Sequence, residues 1–337
     1  MKPGKLTLTQ LADMKHRGEK IVMVTAYDAP GARLAEQAGI DILLVGDTAG
    51  MVVLGHDGTV PVTMDEMLFM TRSVSGAVER PLVVGDMPFG SYHVSDEDAL
   101  RNAIRFVKEA GAEVVKLEGA GPSLSRVRAI VSAGIPVMGH VGLTPQSETI
   151  LGGFKTQGRT AAKARQLLAD ALALEAAGCF AIVLEAVPVP VAARITESLT
   201  VPTIGIGAGA ACDGQVLVYH DLLGLTEGRA PRFVKRYANL AEEIRGALTT
   251  YAEEVRTGVY PAPEHTYAMP EDELEVFSDA FSSELNSIDR SFPTDARAEP
   301  ERPEGGTARG ASAERIEQGQ RNGQSYGDQR RESDARH

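Results

Sequence analysis

The chain has 337 residues, 43% of them apolar, and a formal charge of -12 with a pI near 5.2, so it has material for a large core. That charge argues against nucleic acid or an anionic membrane as partner, although a metal ion and a few positioned cations would still admit a small anionic substrate. Cys179 and Cys212 lack metal spacing, no run nears the roughly 18 apolar residues of a membrane span, and the N-terminus has no signal-type apolar core, so a protein of the reducing cytoplasm is expected.

Residues 7–15 predict a short helix capped by Thr9 or Thr7 and placed to plug the bottom of the domain. Eight β-rich runs come next, at about 21–27, 42–47, 81–86, 113–118, 136–141, 180–186, 202–207 and 215–220. Helical patterns separate most of them, with Gly39, Gly111, Gly134 and Gly178 just past helix ends. Both a doubly wound sheet and a (β/α)8 barrel alternate in this way, but eight units over about 250 residues match the barrel. Residues 221–228 predict a loop and 232–257 a long amphipathic helix that completes the outer ring. The catalytic domain is expected to span 1–267. The remainder, 268–337, acidic at its start and from Thr294 onward almost without apolar residues, is expected to be a disordered tail. A short docking helix at its acidic start is the other reading.

Five apolar runs end in ionisable residues: LLVGD in Asp47, VVGD in Asp86, VVKLE in Lys116 and Glu118, VMGH in His140 and IVLE in Glu185. In such barrels the catalytic residues come from the C-terminal ends of several strands. Side chains two apart on a strand share a face, so Lys116 and Glu118 reach the same side, with Val114 below. Asp47, Asp86 and Glu118 offer hard oxygen donors of the kind Mg2+ prefers. Lys116 needs an anion, either Glu118 or Asp86, or a substrate carboxylate or enolate oxygen. Glu185 is free to act as a general base if burial raises its pKa, with capping of the next helix as the competing role. His140 is placed to touch a substrate oxygen, to shuttle a proton, or to be satisfied within the protein. The long glycine-bearing loop 142–159 lies on the active face and has the length of a lid. HDGTVPVT, 56–63, is expected to wall the mouth. GIGAGAACDG, 205–214, lacks GxGxxG spacing and is expected to serve close backbone packing.

VGDTAGMVVLGHDGTVPVT, VGDMPFGSY, VKLEG, GHVGLTPQS, GGFKTQGR, LEAVP, IGIGAG and GVYPAPEHTY, in order from about residue 5 to 267, resemble the ketopantoate hydroxymethyltransferase family. The resemblance implies a (β/α)8 barrel of pantothenate and coenzyme A biosynthesis, ring-like and homo-oligomeric, with a decamer as one such ring. It implies transfer of a hydroxymethyl group to 3-methyl-2-oxobutanoate from 5,10-methylenetetrahydrofolate or a modified pterin, with Mg2+ held by Asp47, Asp86 and Glu118. It further implies that Asp47, Thr48, Asp86 and Lys116 contact the keto acid and that Glu185 accepts the C3 proton. Thr48 replaces a serine usual in the family but keeps the hydroxyl. One alternative is a Mg2+-dependent lyase or mutase of the phosphoenolpyruvate mutase and isocitrate lyase type. Those carry a lid-loop cysteine, and the loop here has none. The other, a non-catalytic barrel, sits poorly with Asp47, Asp86, Lys116, Glu118 and Glu185 all present.

Overall fold

The computed structural model describes residues 4–289, apart from 227 and 229. Contacts divide the chain into a unit Met1–Tyr260 and a unit Pro261–His337. In the first, eight parallel strands close into a barrel: β1 (Ile21–Thr25), β2 (Ile42–Val45), β3 (Leu82–Asp86), β4 (Val114–Lys116), β5 (Val137–Gly142), β6 (Ala181–Glu185), β7 (Thr203–Ile206) and β8 (Gly214–Leu217). Each pairs with its neighbour in sequence, and β1 closes on β8.

Period two along each strand sorts the apolar residues into two cores. Ile42, Leu44, Leu82, Val84, Val114, Met138, Ala181, Val183, Ile204 and Val216 fill the lumen. Leu43, Val83, Val115, Ile182 and Leu184 face outward against the surrounding helices. Leu11 and Met14 of the first helix, α1 (Leu8–Arg17), belong to the luminal core, so this helix closes the bottom as expected. Thr7 caps it through a capping box with Gln10, and Lys15 donates to Asp213 Oδ2 at 2.8 Å.

Helices α2 (Ala29–Gln37), α3 (Ala49–Val52), α4 (Met64–Ser75), α5 (Asp96–Ala110), α6 (Ser123–Ser132), α7 (Glu148–Leu151), α8 (Ala161–Ala176) and α9 (Val189–Ser198) come in chain order. Their starts are written in the sequence: Asp28, Thr63, Ser95 and Thr160 each accept a hydrogen bond from the third residue of the helix they cap. After β8 the chain departs from expectation. Residues 219–220, read as strand, open a short helix α10 (Tyr219–Leu223), and the long helix α11 (Leu240–Thr257) starts eight residues later than the apolar spacing suggests. Its missing first turns are replaced by an irregular segment in which Tyr237 N donates to Leu222 O at 2.8 Å. In the second unit the acidic segment forms a helix, α12 (Glu271–Asp289), in which Phe277 stacks on Phe281. That helix departs from the disorder expected over 268–337 and matches the other reading of its start only in being helical; from 290 onward the expectation lies outside the described residues.

Gly142 ends β5 at φ 102°, where its Cβ would strike the Glu185 carbonyl oxygen and lie 2.8 Å from Val187 Cγ2. Gly142→Ala is therefore expected to cost about 1–3 kcal/mol, from backbone strain and overpacking together. Thermal unfolding would register it as a lowered midpoint with the native fold retained below the transition.

Candidate active site

The luminal columns carry the functional side chains to the C-terminal mouth. Asp86 stands above Val84, Lys116 above Val114, His140 above Met138 and Glu185 above Val183, each two residues further along its strand. Asp86 and Lys116 are also register partners across β3 and β4, and Lys116 Nζ lies 2.7 Å from Asp86 Oδ1. Glu118, two past Lys116, brings its Oε1 to 3.8 Å from the same ammonium. Asp47 arrives differently. Its parity on β2 is outward, but the strand ends at Val45, and the subsequent turn brings Asp47 N to donate to Asp86 Oδ2 at 3.1 Å.

His140 lies between two carboxylates, with Nδ1 3.5 Å from Glu118 Oε1 and Nε2 3.3 Å from Glu185 Oε2. Burial disfavours its charge, but those two carboxylates outweigh burial and raise its pKa to about 9. The imidazolium therefore links the cluster on β3 and β4 to Glu185 across the mouth. Glu185 is the most open of the set, its side chain 16% exposed where those of Asp86, Lys116, Glu118 and His140 are at most 5%. Ala186, immediately after it, has φ 49° and is the sole non-glycine with positive φ among the described residues. Ala186 N donates to Ile206 O and its carbonyl accepts from Gln157 N, which overdetermines the turn that carries Glu185.

The electrostatics are those of a site short of positive charge. Among the described residues, Lys116 and His140 are the cationic groups within 4 Å of Asp86, Glu118 and Glu185, and Lys116 also acts on the Asp47 carboxyl. Burial, with the charges of Asp86 and Glu118, pushes the Asp47 carboxyl well above its usual range. Burial also raises Asp86, against the pull of Lys116. Glu118 goes the other way: burial opposes its charge, but His140, Lys116 and the Gln146 amide hold its pKa down. Burial likewise opposes the Lys116 charge, and the surrounding carboxylates overcome it and raise its pKa.

No three His, Cys, Asp or Glu side chains surround a common metal position among the described residues. The donor set still fits a hard divalent cation, since Asp47, Asp86 and Glu118 are buried, supply only oxygen, and include two carboxyls whose pKa is raised first by burial and then by neighbouring carboxylates, so that a cation would relieve both.

A cavity of about 1000 Å3 opens over this cluster. Asp47, Thr48, Asp86, Lys116, Glu118, His140 and Glu185 all line it, and it continues to the β8 side at His220, Asp221, Arg232 and Phe233. His56, Asp57 and Thr59 form another wall, as the sequence suggested, while Phe154 and Thr156 enter from the loop after β5. The Thr48 hydroxyl is 2.9 Å from Tyr27 OH. The glycine loop at 205–214 packs closely, with an added Cβ at Gly205 meeting Cys212 Sγ at 2.9 Å. Three contributors are not singled out by sequence reasoning: Gln146, Tyr92 and Tyr27 are buried beside the site, Gln146 donating to Asp47 Oδ2 and Glu118 Oε2, Tyr92 OH accepting from Glu118 N and donating to Gln146, and Tyr27 OH bonded to the Thr48 hydroxyl.

Residues 5–263 match the family Ketopantoate hydroxymethyltransferase. A 3-methyl-2-oxobutanoate hydroxymethyltransferase of Heliobacterium modesticaldum is 57% identical over 271 residues, covering 80% of this chain and 98% of the relative. One from Moorella thermoacetica is 59% identical over 264 residues, covering 78% and 98%. Among solved structures, phosphonopyruvate hydrolase in complex with oxalate and Mg++ matches with a TM-score of 0.51 at 15% identity, covering 85% of this chain and 99% of that one. Phosphoenolpyruvate phosphomutase from Streptomyces platensis subsp. rosaceus gives 0.51 at 20% identity, with the same coverage. At those identities the solved structures share the barrel alone, whereas sequence identity above one half along almost the whole relative decides between the two enzyme classes. The chain belongs to the ketopantoate hydroxymethyltransferase family.

Proposed function

We propose that this barrel transfers a hydroxymethyl group from 5,10-methylenetetrahydrofolate, or a modified pterin, to 3-methyl-2-oxobutanoate, forming 2-dehydropantoate for pantothenate and coenzyme A synthesis. The observation that carries the reading is the buried Asp86–Lys116–Glu118–His140 row ending on the more open Glu185. It sets a fixed positive charge and a proton acceptor at one cavity, as abstraction of a proton α to a carbonyl requires.

Asp47, Asp86 and Glu118 would hold Mg2+, which when bound supplies Lewis-acid polarisation of the keto acid. Lys116, fixed by Asp86, offers its ammonium to the negative charge that grows on the substrate oxygens as C3 loses its proton. Glu185 takes that proton. Asp47 and Thr48 border the keto-acid end of the cavity, with the Thr48 hydroxyl held by Tyr27. His140, with both ring nitrogens turned to carboxylates, orients Glu185 and remains within reach of the substrate. Leu143, Phe154, Val183 and Ile206 line the cavity with apolar surface that limits water. C3 then bonds to the methylene carbon, both C–N bonds that hold this carbon to the carrier break, one water supplies the hydroxyl, and the other water proton together with the proton taken by Glu185 balances the two carrier nitrogens as the pterin leaves. A cavity of about 1000 Å3 is at the upper end of the roughly 300–1,000 Å3 typical of small-molecule sites, which supports a second, larger co-substrate toward His220, Asp221 and Phe233.

The working form is proposed to be a homo-oligomer, a reading supported by Ile244, Leu248, Tyr251 and Val255, which share one face of α11 and are 47–61% exposed. The catalytic domain is proposed to be 1–267, close to the unit that ends at Tyr260. Among the described residues no helix is long and apolar enough to cross a membrane; a cytoplasmic location is proposed from the biosynthetic role.

Mg2+ binding tests the ligand set. Because Asp47 and Asp86 hold protons to higher pH than ordinary carboxyls, a divalent cation must displace them. Affinity is therefore expected to fall as pH falls through the range in which they titrate, and binding to release protons. Calorimetry in buffers of different ionisation enthalpy measures that release. Asp86→Ala is expected to stay folded, release fewer protons and lose metal-dependent turnover; retained turnover at ordinary Mg2+ would remove Asp86 from the set.

A further inference from the structure

The loop after β5 is fastened to the site at both ends. Its distal part returns to Glu185 through the Gln157 N–H that donates to Ala186 O at 2.9 Å. Its proximal part enters the carboxylate cluster through Gln146, which is 5% exposed. Gln146 Nε2 donates to Asp47 Oδ2 at 2.9 Å and to Met87 O at 3.0 Å. Gln146 N donates to Glu118 Oε2 at 3.1 Å. Its Oε1 accepts from Tyr92 OH at 2.6 Å, and that hydroxyl oxygen accepts from Glu118 N at 3.2 Å.

These bonds admit one orientation. The Tyr92 hydroxyl accepts from a main-chain N–H and so must spend its proton on Gln146 Oε1, which turns the carboxamide NH2 toward Asp47 and the Met87 carbonyl. One residue thus fixes a carboxylate from the end of β2 and another from just past β4, without itself being a donor to a cation.

We infer that Gln146 is the positioning residue that sets Asp47 and Glu118 for a divalent cation, and that cation binding and ordering of the 143–160 loop are coupled through it. The inference rests on the proposal that the three carboxylates hold the metal. Coupling of this kind is reciprocal: a cation that needs both carboxylates in place favours the loop conformation that places them, and the ordered loop tightens the cation. Loss of such outer partners of metal ligands weakens binding by about 10- to 100-fold.

The test is titration of the metal-free full-length protein with Mn2+, monitored by electron paramagnetic resonance, alongside amide hydrogen exchange across 143–160 with and without Mn2+. Wild type is expected to bind Mn2+ and to slow exchange in the loop. Gln146→Ala is expected to bind about 10- to 100-fold more weakly and to lose the Mn2+-dependent slowing. Tyr92→Phe, which keeps the ring but frees the carboxamide to turn, is expected to weaken binding by a smaller factor and to alter the Mn2+ spectrum, and it carries the test should Gln146→Ala not fold. Wild-type Mn2+ affinity and loop protection in the folded variants would overturn the inference while leaving the metal reading intact. A wild type that binds no Mn2+ would overturn the metal reading itself, and the inference with it.

Discussion

Glu185→Gln is expected to lower kcat by about 10^2- to 10^4-fold, the range for loss of a general base, with little change in KM for the keto acid. Glutamine keeps the volume at the end of β6 and can still face His140 Nε2, now 3.3 Å from Glu185 Oε2. What it cannot do is accept the C3 proton. The fold does not depend on the charge, because the Glu185 backbone is held by its own strand, its register partner Gly142 and the hydrogen bond from Leu143 N to Glu185 O. Thermal unfolding should therefore move by only a few degrees. His140 gives a second readout. Its pKa of about 9 is sustained, against burial, by Glu118 and Glu185, so the variant should show a lower His140 pKa by proton NMR. An unchanged kcat would remove Glu185 from the reaction.

Lys116→Ala carries the other large effect. The side chain is buried and lies 2.7 Å from Asp86 and 3.8 Å from Glu118. Removing one partner from a buried ion pair typically costs about 3–5 kcal/mol, because the remaining charge stays in a medium that cannot solvate it. In a domain of this size that corresponds to a fall of about 6–20 °C in Tm. The sign with pH is set by the orphaned carboxylates. Their pKa values rise further when Lys116 is gone, so at low pH they are protonated and uncharged, and the deficit relative to wild type shrinks. It is largest at pH values where they must ionise. A divalent cation bound by the same carboxylates is expected to restore part of the lost stability, since it supplies the missing positive charge. Turnover should not recover with it, because the ammonium aimed at the substrate oxygens is still absent. Calorimetric melts over a pH series, with and without Mg2+, separate the two contributions. A variant as stable as wild type at pH 8 would contradict the pairing.

Legibility in the sequence divides along physical lines. Strand faces are dictated by period two, so Lys116 and Glu118 above Val114 are readable from spacing alone. Asp47 is marked by its place after an apolar run, but its approach through a turn is not, because parity on β2 points it outward. His140 can be placed at the mouth, whereas its setting between Glu118 and Glu185 depends on barrel closure that no local pattern encodes. Gln146 bonds to Asp47 across 99 positions, from a polar loop whose composition resembles any surface loop. The two departures after β8 have a common origin. Apolar alternation through Val216 and Val218 suggests that the strand goes on, but Tyr219 N is taken by the Thr25 hydroxyl and the chain turns into α10. In the same way Val234 and Tyr237 have helical spacing, yet the Tyr237 N–H is captured by Leu222 O. Tertiary hydrogen bonds outweigh local pattern in both places.

The central claim is that Glu185 removes the C3 proton of the keto acid at a site charged by Lys116 and a divalent cation held by Asp47, Asp86 and Glu118. It is tested most directly by solvent deuterium exchange at C3 of 3-methyl-2-oxobutanoate with Mg2+ and no folate, monitored by proton NMR. Wild type is expected to exchange far faster than buffer, and Glu185→Gln no faster than buffer. A wild type that exchanges at the buffer rate would contradict proton abstraction at this site, and a variant that exchanges as fast as wild type would contradict Glu185 as the base.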